Sequence, residues 1–371
     1  MPVSTIGTNG LTSGLGVTAS TLTVNGNNIS AVNSLGFRNR LINGGMVIDQ
    51  RNNGAAVTGN QYTVDRWRTW FDPGAYSLQQ ITDAPTGFSH SMRITKTNTT
   101  ASTNYAGFVQ YIEGYNFADL NFGTASASPI TLSFWVKSSI TGTFTVAVCN
   151  SAENRFYGAT YTINSANTWE FETITIPGDT TGTWIGATNG IGLQLWFNYG
   201  QPATAQAANT WTTSANARSV AGSTSLGTTN GATWQITGVQ LEAGSVATPF
   251  ERRDYGRELM MCQRYYWRET NPGSGFVWSS GYLATGSLYR GYKAFPVAMR
   301  AGPTFGFSTA SNAMAINSIN GNQNINAYAG VVGIFGANIE FTLSTSVTSG
   351  GSAVVYAVTS GAAYMDFSAE L

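Results

Sequence analysis

Apolar residues at every second position, in one segment after another, constrain this chain more than any other feature. Leu132, Phe134 and Val136 alternate with Ser133, Trp135 and Lys137. Phe144, Val146 and Val148 follow after a Thr141-Gly142 turn, so 131–149 reads as a hairpin. Ile191, Leu193, Leu195, Phe197 and Tyr199 share one face of a further segment, with Gln194, Trp196 and Asn198 on the other. A period of two belongs to strands, whose successive side chains point to opposite faces. Two segments change parity midway. Trp169 and Phe171 are odd-numbered while Ile174 and Ile176 are even, and Trp234 and Ile236 are even while Val239 and Leu241 are odd. One inserted residue does this, so β-bulges are expected near Glu172–Thr173 and Thr237–Gly238. Roughly nine strands in residues 38–252, with no helical stretch, predict an all-β, jelly-roll β-sandwich.

The one helical pattern lies at 253–268. Tyr255, Leu259, Cys262 and Tyr266 form an apolar stripe at i, i+4, i+7 and i+11. Thr248-Pro249-Phe250-Glu251 fits a capping box with proline at the first helical position, although Gly256 argues against an early start. This short linking helix leads to a smaller C-terminal β domain at 269–371. Strand patterns there cover 275–278, 282–292, 339–343 and 353–358. Phe295 to Pro303 has proline near both ends and should lie at an edge or connection. At the other end, residues 1–37 hold no charged side chain. Leu22 and Val24 precede an Asn25-Gly26 turn signal, but so short a segment cannot bury enough surface to fold alone. It reads as an attachment arm that orders against another protein.

Composition narrows the function classes. Charged residues are 10% of the 371, against roughly 25% in an average globular protein. With 42% hydrophobic and 12% aromatic content the chain can still build a core, which argues against disorder. A polar but uncharged surface suits an extended β protein that packs against copies of itself. Net charge is zero and no basic run exists, so no nucleic-acid partner is expected. No apolar run is long enough for a membrane span, and the start lacks the basic and apolar regions of a signal peptide. Synthesis in a cytoplasm follows, with Cys149 and Cys262 as free buried thiols. A single histidine, His90, rules out a His-rich zinc site and most His-based catalytic arrangements. Glu113 with Asp119, or Glu170 with Glu172, could be offered as hydrolytic carboxylate pairs, but nothing in the sequence puts a substrate between them. No enzymatic activity is expected and no cofactor is required.

Several motifs fall in order along the chain. They are Asn39-Arg-Leu-Ile-Asn-Gly-Gly-Met-Val-Ile-Asp-Gln-Arg-Asn52, Tyr62-Thr-Val-Asp-Arg-Trp67, Gly238-Val-Gln-Leu-Glu-Ala-Gly244 and Thr248-Pro-Phe-Glu251. Cys262-Gln-Arg-Tyr-Tyr266, Phe295-Pro-Val-Ala-Met-Arg300 and Phe367-Ser-Ala-Glu-Leu371 complete the set. Over residues 38–371 the chain resembles bacteriophage tail-fibre and receptor-binding proteins. That resemblance implies a jelly-roll domain similar to carbohydrate-binding modules, a distal β domain, a homotrimer, and a place on the virion. The partners it implies are sister copies, another virion protein through the arm, and a host-surface polysaccharide. Depolymerase activity and a purely structural fibre or capsid role remain as alternatives. Within the motifs, Asp49, Arg51, Asp65 and Arg66 read as Asp–Arg pairs closing the sandwich, with a structural calcium contact as the alternative.

Sugar binding needs flat apolar faces with planar polar groups beside them. Trp135 and Trp196 sit on the polar faces of their strand patterns, and Gln194 and Asn198 flank Trp196. Trp278, Tyr282 and Tyr289 form a second aromatic group beside Arg290. These seven residues are the candidate glycan contacts. Packing against another chain, or cover by a loop, is the competing account of the Trp135 and Trp196 faces.

Overall fold

The computed structural model describes residues 22–24, 27–29, 37–71, 75–98, 106–200, 205–214, 217–270, 276–307, 314–318, 321–346, 348–357 and 364–371. The chain divides into two units, 1–38 and 39–371. In the first, Leu22–Val24 (β1) and Asn27–Ile29 (β2) pair antiparallel with Val24 opposite Asn27, the register that the Asn-Gly signal implies. The rest of the expected arm, residues 1–21, 25–26 and 30–36, lies outside the described residues.

The second unit begins with a two-sheet sandwich. Its strands are Val57–Thr58 (β3), Arg68–Trp70 (β4), Tyr76–Ile81 (β5), Ser91–Lys96 (β6), Gly107–Glu113 (β7), Ile130–Ser138 (β8) and Gly142–Cys149 (β9). Phe156–Ile163 (β10), Glu170–Ile176 (β11), Ile191–Asn198 (β12), Ala205–Gln206 (β13), Trp211–Thr212 (β14), Ser219–Val220 (β15) and Thr233–Ala243 (β16) follow, of which β13 and β15 form a parallel pair outside the two sheets. One sheet runs β14-β10-β9-β12-β7-β4 and the other β11-β8-β16-β6-β5-β3. Side chains of alternate parity meet between them. Phe134 of the second sheet lies 5.0 Å from Phe197 of the first, and Phe197 lies 5.8 Å from Trp234. Burying such rings drives the sheets together at about 25 cal/mol for each Å² of apolar surface.

Two expectations fail here for physical reasons. Segment 131–149 is not a hairpin: β8 and β9 belong to different sheets, and Ile140 packs into the core as the chain crosses between them. The hairpin is instead β9 with β10, paired from Cys149↔Phe156 to Gly142↔Ile163. No bulge interrupts β11 either, since it runs in register from Glu170↔Val136 to Ile176↔Ile130. The parity change there arises because Phe171 faces outward, half exposed, while Ile174 and Ile176 face the core. The bulge in β16 is real. Register shifts between Thr237↔Trp135 and Gln240↔Ser133, with Gly238 at φ +63°.

The helix is shorter than its sequence pattern. It spans Tyr255–Gln263 (α1), and Asp254 caps it by accepting a hydrogen bond from the Arg257 N–H. Thr248 and Glu251 serve elsewhere: the Thr248 hydroxyl donates to Glu242 and the Glu251 N–H to Gln240. Tyr266 already belongs to a strand, and Tyr255 is exposed, so only part of the apolar stripe is buried.

After the helix come Tyr266–Thr270 (β17), Val277–Thr285 (β18), Leu288–Ala294 (β19), Thr304–Phe307 (β20), Met314–Ser318 (β21), Gly321–Val332 (β22), Gly336–Leu343 (β23), Ser352–Ala357 (β24) and Tyr364–Ser368 (β25). Strands β18-β19-β23-β22-β21-β24 close into an antiparallel barrel, which removes free sheet edges. Strands β17-β25-β20 form a three-stranded sheet whose Trp267 and Phe367 stack at 5.5 Å. The proline-bounded segment at 295–303 connects β19 to β20, as expected.

The opening and closing motifs meet in a buried charge cluster. Arg66 pairs with Glu370, as does Arg51 at 3.1 Å, and Arg51 also lies 3.7 Å from Asp65. Asp65 also accepts hydrogen bonds from the backbone and side chain of Gln50. Asp49 accepts from the backbone N–H groups of Asn52 and Gly54. These carboxylate oxygens face N–H donors. Among the described residues, no group of three His, Cys, Asp or Glu side chains could ligate a metal. No helix among them is long and apolar enough to cross a membrane.

Candidate functional site

The outer face of the β11–β8–β16 sheet carries a row of rings. Trp135 on β8 stands opposite Phe171 on β11 and opposite Thr237 on β16. Its indole lies 5.3 Å from the Phe171 ring. The bulge then does two things. It places Gly238 next to Trp135, and it leaves room for Phe88 to lie over the backbone. A Cβ on Gly238 would come within 2.7 Å of Phe88 and 3.1 Å of Trp135, so only glycine permits both the positive φ and this approach. Phe88 packs edge-on against Phe250 at 5.1 Å. The row thus runs Phe171, Trp135, Phe88, Phe250 across one outer surface.

Beside the last two rings lies a cleft of about 500 Å³, with Gly44, Gly87, Phe88, Phe250, Arg252 and Tyr255 in its wall. That volume falls in the range of small-ligand sites. Gly44 sits so close to the β16 backbone that a Cβ would lie 2.1 Å from the Val239 carbonyl oxygen. The cleft's carboxylates are turned to structural use. Glu251 accepts from the Asn39 N–H at 2.7 Å and from Arg253 at 3.0 Å. Glu258 accepts from the Asn43 N–H and from Arg253. Trp169 extends the aromatic surface at the other end. Lys137 lies 5.0 Å over its ring and pairs with Asp83, whose carboxyl that contact holds below the usual aspartate range.

The seven residues singled out from sequence divide sharply. Trp135 is half-buried on the outer face, as its parity suggests. Trp196 shares that polar-face parity but is only 2% exposed, which corrects its reading as a ligand contact. The segment around β13 and β15 covers it: Arg218 lies 4.7 Å over the indole, and Ala217 and Phe156 close the cluster. Gln194 and Asn198 are buried with it. The Gln194 carbonyl oxygen accepts from the Trp196 indole N–H at 3.0 Å, and the Asn198 carbonyl oxygen accepts from the Gly200 N–H. Trp278 and Tyr289 are corrected likewise, since both are in the barrel interior, where the Tyr289 hydroxyl donates to Ser279. Tyr282 is half exposed on the barrel exterior, opposite Arg290.

Three of the four carboxylates offered as hydrolytic pairs are held by structural partners. Glu113 is buried and accepts from Arg264 and the Tyr265 hydroxyl, while Asp119 pairs with Arg40. Against desolvation, the hydrogen bonds by which Glu170 caps the 164–165 turn lower its pKa, whereas burial and the neighbouring Glu170 raise that of Glu172. Both cysteines are buried and free, and burial pushes the Cys149 thiol up to about 12. A thiol so placed is unreactive.

No protein-family model matches the chain, and no curated protein does. Among solved structures it is similar to the enzymatically active domain of bacteriophage CBA120 tailspike protein 4, at 16% identity and a TM-score of 0.31. That match covers 55% of this chain and 21% of the tailspike chain. It is also similar to TmCBM61 in complex with β-1,4-galactotriose, at 11% identity and a TM-score of 0.30, covering 56% of this chain and 99% of that one. A putative sugar-binding protein from Bacteroides thetaiotaomicron matches at 10% identity and a TM-score of 0.32, over 56% of this chain and all of the other. Likeness at this level lends no weight to a functional assignment.

Proposed function

We propose that this chain binds a saccharide, without chemistry on it, through the outer aromatic row and the cleft at its end. The supporting observation is the run of outward rings, Phe171, Trp135, Phe88 and Phe250, leading into a cleft about 500 Å³ in volume. Ring faces of this kind suit the apolar faces of pyranoses, and a row suits a polymer more than a monosaccharide. The motif set favours a phage tail fibre adsorbing to host-surface polysaccharide, with several copies raising avidity where each site is weak. A glycan array probed with the purified chain tests this reading. Binding should appear for at least one bacterial surface polysaccharide and fall at least tenfold in Trp135→Ala and in Phe250→Ala. A chain that binds no surface glycan of any susceptible host has no adsorption role.

A second reading, assembly without receptor contact, draws on the barrel exterior. Tyr282, Tyr292, Val331 and Phe335 are 51%, 57%, 75% and 68% exposed there. Such a surface suits burial against sister copies, so a homotrimer with a purely structural role is the alternative. Sedimentation equilibrium decides it: a monomer at micromolar concentration removes this reading.

A further inference from the structure

Arg252 and Arg253 are neighbours in sequence and opposites in use. Arg253 is turned inward: it pairs with Glu251 at 3.0 Å and Glu258 at 3.5 Å and donates to the Leu41 carbonyl at 3.0 Å. Arg252 is exposed at the cleft and makes neither an ion pair nor a hydrogen bond among the described residues. Its contacts are ring faces, with the guanidinium carbon 4.9 Å from the centroid of Phe88 and 5.9 Å from that of Phe250. Gly87 makes room for it, since a Cβ there would lie 3.1 Å from Nη2. A guanidinium held over ring faces spends no N–H group on a protein acceptor, which leaves them to receive a carboxylate or phosphate in bidentate fashion. The cleft's own acids cannot satisfy it, because Arg253 and backbone N–H groups already hold them.

Resting on the saccharide reading above, we infer that the cleft selects an acidic saccharide, with Arg252 receiving the sugar's anionic group while Phe88 and Phe250 hold the adjoining ring. The low charge of the chain makes this one cation decisive. Few other charges compete for the ligand, and the sequence holds no long basic run to bind polyanions at large.

The test compares matched polymers by titration calorimetry on the intact chain. Alginate and polygalacturonate are used as such and after reduction of their carboxylates to alcohols, and a glucan carrying phosphate monoesters, as such and after phosphatase treatment, forms a separate arm. The parent chain should bind one acidic polymer at least tenfold more tightly than its reduced or dephosphorylated counterpart. That preference should shrink as salt rises from about 0.05 to 0.5 M. Arg252→Gln should abolish the preference at unchanged melting temperature, Arg252→Lys should keep part of it, and Arg257→Gln should leave it intact. Which arm responds tells carboxylate from phosphate. Equal affinity for acidic and neutral forms, or a preference that survives Arg252→Gln, overturns the inference while the saccharide reading stands. Binding to none of these polymers overturns the inference. The saccharide reading falls with it only if the glycan array is blank as well.

Discussion

At the scale of single residues, two tryptophans with the same sequence context have opposite fates. Trp135 and Trp196 both alternate with core residues on their strands, yet one is a surface platform and the other is sealed. Trp196→Ala should therefore cost about 3–5 kcal/mol by removing a buried indole, read as a large fall in denaturation midpoint. Trp135→Ala should cost about 1 kcal/mol or less and register mainly as lost glycan affinity. Equal stability losses would mean the two sites are not distinguished as described. Strand parity revealed the face of Trp196 but not its cover. That cover is built from two-residue strands at 205–206 and 219–220, too short to show any periodicity. Phe88 and Phe250 escaped notice because each is a lone aromatic in a turn. Only the Thr248-Pro-Phe-Glu251 motif hinted at Phe250, and its pattern reads equally as a helix cap.

Asp65 supplies a second prediction at this scale. Burial raises its pKa to about 7 from an ordinary value of 3.8, against the opposing pull of Arg51 and the Gln50 hydrogen bonds. The folded state thus holds the proton more tightly than the unfolded state does across this interval. The stability that Asp65 contributes is fully present below about pH 4 and is lost as pH rises towards 7. Asp65→Asn removes this dependence, so the variant should gain on the parent chain across that interval. Parallel stability profiles in the two proteins would refute the shift.

At the scale of elements, the β16 bulge carries most of the site. Its extra residue keeps Trp234 and Ile236 on the same core face as Val239 and Leu241, and seats Gly238 beneath Phe88 and Trp135. Gly238→Ala should cost about 1–2 kcal/mol, from the left-handed backbone alone, and should weaken glycan binding by displacing Phe88. Calorimetric melting with a parallel binding titration checks both; unchanged melting would show that the backbone there is not held at positive φ. This bulge was legible because the hydrophobic parity of Trp234 and Ile236 reverses at Val239 and Leu241. The same logic failed in β11, where exposed Phe171 mimicked a core residue. Periodicity reports which residues share a face, but not which face meets water. Sheet membership was illegible for a related reason: β8 and β9 are close in sequence and alternate cleanly, yet the chain crosses between sheets at Ile140.

At the scale of the whole molecule, the sandwich and the barrel have separate apolar cores, and charges join them beside a small apolar cluster of Ile42, Ile48, Cys262, Tyr265 and Leu371. Arg66 and Arg51 near the start of the 39–371 unit reach Glu370 near its end, and Tyr62 donates to the Leu371 carbonyl. Arg300 completes the tie, donating to the Ala369 and Glu370 carbonyls and to that of Asn189. Glu370→Gln should cost about 3–5 kcal/mol, because it leaves two nearly buried guanidinium groups short of a counter-charge. Urea unfolding followed by tryptophan fluorescence measures it, and a loss below about 1 kcal/mol would mean that the cluster does not hold the ends together. All-β architecture and the order of motifs were readable from sequence. This long-range pairing was not, since no local pattern links residues 304 apart.

That separation sets an order of events during synthesis. The carboxylate that neutralises Arg66 is made 304 residues after it, so the early strands emerge with a cation whose mate does not yet exist. A chain that stops short of Glu370 leaves the buried Arg66 guanidinium without that partner. The seam closes only once Glu370 has emerged, so this ion pair is among the last contacts the growing chain can make.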